Sequence, residues 1–315
     1  MKLEATARDR LDAYGFEEHE GLYYQLYQDH KDDRHPNGEL VYPYDFVCVD
    51  DIFWQTDPDT EDMAFDYLNT SFGARQDWST TIQKVNQLNA QAPLNVVYKL
   101  LFMARHGQGF HNVAYARYTQ DWNYWKVRST DGDITWGPDA KLTPLGEQQA
   151  VANNVSWKQQ LESGCPVPTR FYVSPCNRSL ATLFGTWNDI EIPQPKVLEN
   201  LRETMGLHPC NKRSTKYDIS CQFPTVVFED GFPEQDVRHE LYPPEERELL
   251  HEQFLRVNGA LQQIFLDAPQ DEIISVTSHA GTIRAAVVVT GHRRFTIPTG
   301  GMIPMVIKAT KRNIT

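Results

Sequence analysis

Arg105 and His106 in "MARHGQG", Arg178 in "SPCNRSLAT" and His279 in "TSHAG" are the side chains of this sequence best suited to phosphoryl chemistry. Arginine offers a permanently charged fork that matches a phosphate group. A neutral imidazole set among such cations can attack phosphorus and give a phosphohistidine that water later cleaves, while the cations offset charge on the equatorial oxygens. Gly107, next to the pair, gives the backbone room to approach a ligand. A departing alcohol needs a proton, and "LENLRETMGLHPCNKR" offers Glu203 beside Arg202, with Glu199 as the alternative. Glu203 would have to be protonated while His106 stays a free imidazole, so a mildly acidic optimum is expected. Gln108 and His111 are expected at the pocket rim. Lys212 and Arg213, near His208, either steer a second anionic group of the substrate or decorate the surface.

These residues need a scaffold that brings them together. "NVVYKLLFMARHG", "TRFYVSPCNRSLATLFGTW" and "EIISVTSHAGTIRAAVVV" share one design, an apolar run that ends in a polar cluster. In the last two a helical pattern follows. Such runs read as strands of a parallel sheet buried on both faces by helices. The clusters then lie at the carboxyl ends of strands, where open α/β sheets bind ligands beside helix amino ends. "TPLGEQQAVANNVSWKQQLES" predicts a helix capped by Thr143 with Pro144 at its first position. Another is predicted in "PPEERELLHEQFLRVNGALQQIFLDAP", where Leu250, Phe254, Val257, Leu261, Ile264 and Phe265 share a face after Pro243 and Pro244. A short helix over Asp77 to Pro93, capped by Asp77 or Ser79, precedes the first strand. The predicted fold is α/β, a three-layer α/β/α sandwich with a mainly parallel central sheet. Residues 1–95, rich in aromatics, Asp and Pro, read as an irregular N-terminal extension packed on a main domain of residues 96–315. That extension either covers the pocket mouth or packs outside the sheet.

The same motifs, "ARHGQGFHNVA", "DGDITWGPDAKLTPLGEQQA", "SPCNRSLAT", "LRE", "FEDGFPEQD" and "SHAG", taken in chain order, resemble the histidine phosphatase superfamily, the phosphoglycerate-mutase-like proteins, and within it the fungal phosphomutase-like proteins. The resemblance covers roughly residues 20–290. It implies a nucleophile at His106, a phosphate pocket of Arg105, Arg178 and His279, a proton donor at Glu203 and a phosphate contact at Asn112; Thr143 and Gly146 match a structural helix start. Tyr115 stands where the fungal pattern has an acidic residue, and Asn211 where it has Asp. Both belong on the substrate side of the pocket or just behind it.

The formal net charge of −12 excludes a general nucleic-acid or anionic-membrane surface, which would need a basic field over a face. It leaves room for a small phosphorylated substrate held by focused arginines. The amino terminus lacks the apolar core of a secretory signal, and no apolar run is long enough to span a bilayer, so a cytoplasmic location is expected, with the nucleus also open to it. Five cysteines without a CxxC pair indicate neither a disulfide framework nor a zinc module. "HKDDRH" has no ligand spacing, so no metal is expected, and no cofactor. The oligomeric state is not legible. The function expected is a phosphomonoester hydrolase working through a phosphohistidine. The alternatives are a phosphomutase, or a member recruited to a non-phosphate acid/base reaction such as dehydration or cyclisation.

Overall fold

Residues 2–243 and 245–312 are described by the computed structural model. Among them, β1 (Tyr44–Cys48), β2 (Val96–Arg105), β3 (Arg170–Val173), β4 (Lys196–Val197), β5 (Val227–Phe228), β6 (Ile273–Ser278) and β7 (Met302–Lys311) form one sheet in the order β1-β7-β2-β6-β3-β4-β5. From β2 to β5 every neighbouring pair is parallel. β7 runs antiparallel to both β2 and β1. The helices are α1 (Ala7–Tyr14), α2 (Glu17–His30), α3 (Trp78–Ala90), α4 (Phe110–Arg117), α5 (Trp122–Trp125), α6 (Pro144–Glu162), α7 (Asn177–Thr186), α8 (Lys216–Gln222), α9 (Leu250–Asp267) and α10 (Ala280–Thr290).

Alternation along β2 explains the layers. Leu101 and Met103 join a core with Phe254 and Val257 of α9, Ile283 of α10 and Tyr23 of α2, whereas Leu100 and Phe102 join one with Trp78 of α3, Trp157 of α6 and Leu180 of α7. Both faces are thus covered, which is why the strands read as unbroken apolar runs. Burying each such side chain stabilises the fold by roughly 1.5–3 kcal/mol. The predicted α/β/α sandwich is the fold observed. The helices predicted at Asp77 and Thr143 are present, each capped by the side chain expected: Asp77 accepts from the Thr80 N–H and Thr143 from the Gly146 N–H.

The extension is more regular than its sequence suggests. β1 adds an edge strand beside β7, and Phe72 packs its ring 4.7 Å from that of Trp157. At its other end α1 stacks on α10, its Tyr14 hydroxyl donating to Asp62 at 2.8 Å. A second difference lies before α9. Helical propensity in "EEREL" (245–249) is overridden, and the helix starts only at Leu250. Glu248 is tied in a backbone hydrogen bond to Met205, and its carboxylate is held by Arg256 at 2.6 Å, which keeps this stretch extended; Pro244 lies outside the described residues. All five cysteines are free thiols. Among the described residues no helix is long and apolar enough to cross a membrane.

Candidate active site

Because β2 and β6 are in register from Leu100 opposite Ile273 to Arg105 opposite Ser278, their polar ends leave the sheet side by side. The His106 N–H donates to the Ser278 carbonyl, and the two imidazole rings of His106 and His279 come to rest with centroids 5.1 Å apart. His106 Nδ1 lies 2.7 Å from the Gly107 carbonyl oxygen, which can only accept, so Nδ1 carries the proton and Nε2 keeps a free lone pair. Burial, then the fields of Arg178 and Arg105, hold this imidazole well below its ordinary range. It is therefore neutral, as a nucleophile must be. His279 stands at the N-cap position of α10 without a side-chain capping bond; its Nε2 meets the Ser174 hydroxyl at 2.7 Å and its Nδ1 is buried without a partner.

Gly107 is needed for a different approach from the one expected. A Cβ there would meet the Gly146 carbonyl oxygen at 2.4 Å, and a Cβ on Gly146 would meet the Gln108 carbonyl oxygen at 2.1 Å. The two glycines let the strand-end loop press against the first turn of α6. The loop's fixed shape, more than ligand access, is what they secure.

The two arginines are held differently. Arg178 is fully buried and donates to the Cys210 carbonyl at 2.7 Å and to Asn211 Oδ1 at 2.9 Å; Asn211 in turn donates its amide to the Thr204 carbonyl. Its acceptors are all neutral, so its charge is left for a ligand. Asn211, expected on the substrate side of the pocket or just behind it, is a buried clamp on Arg178 that also lines the cavity. Arg105 is paired: its Nη1 donates to Asp9 of α1 at 2.5 Å and to the Ile297 carbonyl at 2.6 Å, while its Nε is buried and unused.

Glu203 lies within reach of the nest but not in the protonation state expected. Its carboxylate accepts from the N–H groups of Thr204 and Gly281 and from the Gln253 amide. Burial alone pushes this carboxyl up, but the field of Arg284 and those hydrogen bonds outweigh it and hold the group at about 2. It is therefore an anion at neutral pH, and an acid optimum derived from a protonated Glu203 does not follow from these surroundings. Arg284, on the α10 turn beyond "SHAG", reaches Gln253 and the Asp12 carbonyl and was not singled out from the sequence. Its i+4 spacing from Ala280 on the helix leaving His279 was the available signal.

Asn112 shapes the loop, its Oδ1 accepting from the Gly109 N–H at 2.9 Å, and it lines the cavity, as do Gln108, His111 and Tyr115. His111 sits deeper than a rim residue, its ring 5.2 Å from that of His106 and its imidazole pushed well down by burial. Glu199 is not in the site: it pairs with Arg213 at 2.6 Å and Arg202 at 3.2 Å, and Asp236 completes this buried ion network. Arg213 is thereby structural and Lys212 pairs with Glu240 at the surface, so neither steers substrate. Asp9 and Asp12, from α1, were missed. Local sequence gave only the Thr6–Asp9 capping signal of a helix start, with no sign of Arg105 on its far side.

Arg105, His106, Gln108, His111, Asn112, Tyr115, Glu203, Asn211 and Arg284 line one cavity of about 830 Å³, bounded by α1, α4, the Glu203–Asn211 loop and the start of α10, while Arg178 and His279 are fully buried outside its lining, close enough for the Arg178 charge to act on both histidines. Residues 101–295 match the Histidine phosphatase superfamily (branch 1). A protein named "Probable phosphoglycerate mutase" from Arthroderma benhamiae is 38% identical over 286 residues, covering 84% of each chain. "Phosphomutase-like protein 3" of Candida albicans is 36% identical over 263 residues, 83% of this chain and 79% of its own. Among solved structures, the ecdysone phosphate phosphatase of Bombix mori in complex with tungstate superposes with a TM-score of 0.44 at 16% identity, over 65% of this chain and 87% of that one. With its match over residues 101–295, and with relatives this similar over most of its length, the chain belongs to the histidine phosphatase superfamily.

Proposed function

We propose that the protein hydrolyses phosphomonoesters of a small phosphorylated metabolite through a phosphohistidine at His106. The observation that carries this reading is the His106 imidazole itself, whose Nδ1–H is spent on the Gly107 carbonyl so that Nε2 faces the cavity chemistry unprotonated, beside the uncompensated charge of Arg178. The phosphoryl group would be held by Arg105, Arg178, His279 and the Asn112 loop. Nε2 forms a bond to phosphorus as the bond to the leaving oxygen breaks, and that oxygen takes a proton. Glu203 delivers it. Since its surroundings keep this carboxylate ionised, Glu203 first gains that proton, either from a monoanionic ester or by uptake when the ester's negative charge enters and raises the Glu203 pKa. In the second step Glu203 takes a proton from water as the oxygen attacks phosphorus and the N–P bond breaks. Small-molecule turnover calls on no nucleic-acid partner.

A mutase would have to exclude water while the phosphohistidine waits for a second hydroxyl. The size of the cavity and its partly exposed lining favour hydrolysis over that reading, although two relatives carry the mutase name. Recruitment to dehydration or cyclisation finds no support in a nest whose arginines both surround the nucleophile. The test is phosphate release from a panel of monoesters by the wild type and by His106→Ala. Release abolished by the substitution is expected; equal release by both proteins would end the reading.

A further inference from the structure

The phosphate nest occupies one end of a cavity far larger than a phosphate group needs, and about 830 Å³ is a volume that holds a drug-sized molecule. The rest of the lining has a distinct chemistry. Tyr115 meets Trp122 edge to face at 5.2 Å, and Trp122 meets His208 the same way at 6.0 Å, so three partly exposed rings form a wall. Arg8, reaching over from α1, lays its guanidinium on the Tyr115 ring at 4.5 Å and donates to the Tyr115 hydroxyl, which leaves its opposite face as a flat cationic platform. Cavity carboxylates are spent locally: Asp9 on Arg105, Asp12 on Arg8 at 2.9 Å, Glu248 on Arg256, and Glu203 on the Thr204 and Gly281 N–H groups and the Gln253 amide. Arg247 is exposed on the lining and, among the described residues, has no carboxylate within ion-pair distance. It lies near enough to His208 that, after burial, its charge is the next cause holding that imidazole down at about 4. His208 is therefore a neutral ring near pH 7, part of the wall and not a second cation.

We propose that this outer part of the cavity is a leaving-group subsite for a flat aromatic alcohol that carries an acidic group of its own. Resting on the phosphomonoester reading above, the proposal gives each element a task. The ring of the leaving group stacks against Trp122, His208 and the Arg8 platform, where a π-face and a guanidinium attract each other. Its acidic group reaches Arg247. On a chain with a net charge of −12, an anion would not be drawn to the surface at large, and this cationic pocket is where it would be focused. Tyr115, where the fungal pattern expects an acid, fits the same logic: a carboxylate there would repel the anion and forfeit the platform.

Three esters with similar alkyl leaving oxygens separate the terms: benzyl, cyclohexylmethyl and 4-carboxybenzyl phosphate. The expected kcat/KM for benzyl over cyclohexylmethyl phosphate is about tenfold, from stacking alone. The carboxyl group should add about fivefold more, a gain that shrinks with salt. In Tyr115→Leu and Trp122→Leu the first ratio should collapse toward one, and in Arg247→Ala the second. Equal rates for benzyl and cyclohexylmethyl phosphate would overturn the aromatic part, and no gain from the carboxyl group would overturn the anionic part. Calorimetric binding of the matching phosphonates reads the same ranking without turnover. If the esters are not hydrolysed but the aromatic phosphonate still binds tighter, the hydrolase reading fails and the subsite stands; if the phosphonates bind equally, the subsite fails.

Discussion

Arg105 at the end of β2 and Asp9 in α1, separated by 96 residues of chain, form a buried ion pair at 2.5 Å. The second Asp9 oxygen accepts from the Thr6 backbone and hydroxyl, each at 2.7 Å, so the capping of a short helix and the orientation of Arg105, an arginine proposed to bind phosphate, depend on one carboxylate. The pair brings the extension to the cavity and screens the charge of Arg105.

Removing that carboxylate leaves Arg105 buried without a counter-ion, a loss that costs about 3–5 kcal/mol in comparable pairs. Asp9→Ala should melt several degrees lower than the wild type. Vanadate, as an anion that replaces the missing charge, should then raise the melting temperature of the variant more than that of the wild type. Equal vanadate shifts in thermal melts would show that Asp9 and a bound anion do not share Arg105.

Glu203→Gln keeps the hydrogen-bonding shape but can neither give nor take the proton. For alkyl esters kcat should fall by roughly 10²–10⁴. With 4-nitrophenyl phosphate, whose leaving group needs no proton, the first step survives while the second slows. Stopped-flow absorbance should show a burst of nitrophenol equal to the enzyme concentration. A variant with no burst and unchanged steady-state rates on both ester types would remove Glu203 from the mechanism.

Asn211→Asp would put a charge on Arg178 and lose the amide donor that now holds the Thr204 carbonyl. Competition with the substrate for the guanidinium should raise KM for phosphate esters about tenfold with a smaller change in kcat. Steady-state kinetics at neutral pH reads this directly, and an unchanged KM would mean that Arg178 does not meet the phosphate.

The buried imidazoles tie stability to pH. His106, His111 and His279 are each held well below the ordinary value of 6.5, first by burial. Above that value neither the folded nor the unfolded chain binds these protons. Below it only the unfolded chain does, so stability is lost as pH falls, by about 1.4 kcal/mol per pH unit for each histidine until its folded-state pKa is reached. Glu203, lowered from 4.5 to about 2, adds a loss in the same direction between those values. Denaturant unfolding between pH 7.5 and 5 should therefore show stability falling with acid. Replacing His111 by Asn should flatten the slope by about one proton, and an unchanged slope would mean that His111 titrates normally in the fold.

The strand ends were legible because strands buried on both faces leave unbroken apolar runs, and a polar cluster after such a run stands out. Arg105, His106 and His279 leave neighbouring strand ends as that pattern implied, with the Arg178 charge close enough to act on both imidazoles, and the cap at Thr143 is local chemistry that sequence displays. What sequence hid was set by distance. The Asp9 pair and the Arg284 field at Glu203 join segments remote in the chain and leave no periodicity behind. Glu199 looked like an acid candidate because nothing local announces that Arg202 and Arg213 enclose it. The late start of α9 was hidden for a similar reason, since a backbone tie to Met205 and the Arg256 pair overrule a helix-prone stretch.

The central claim is that His106 Nε2 takes the phosphoryl group. Mixing the enzyme with a ³²P-labelled monoester, quenching within the first turnover and mapping the label tests it most directly. The account predicts one acid-labile, base-stable phosphoryl group per site on the peptide containing His106, lost on further incubation as phosphate appears and absent in His106→Ala. Phosphate release at full rate without any such label, or with the label on another residue, would contradict it.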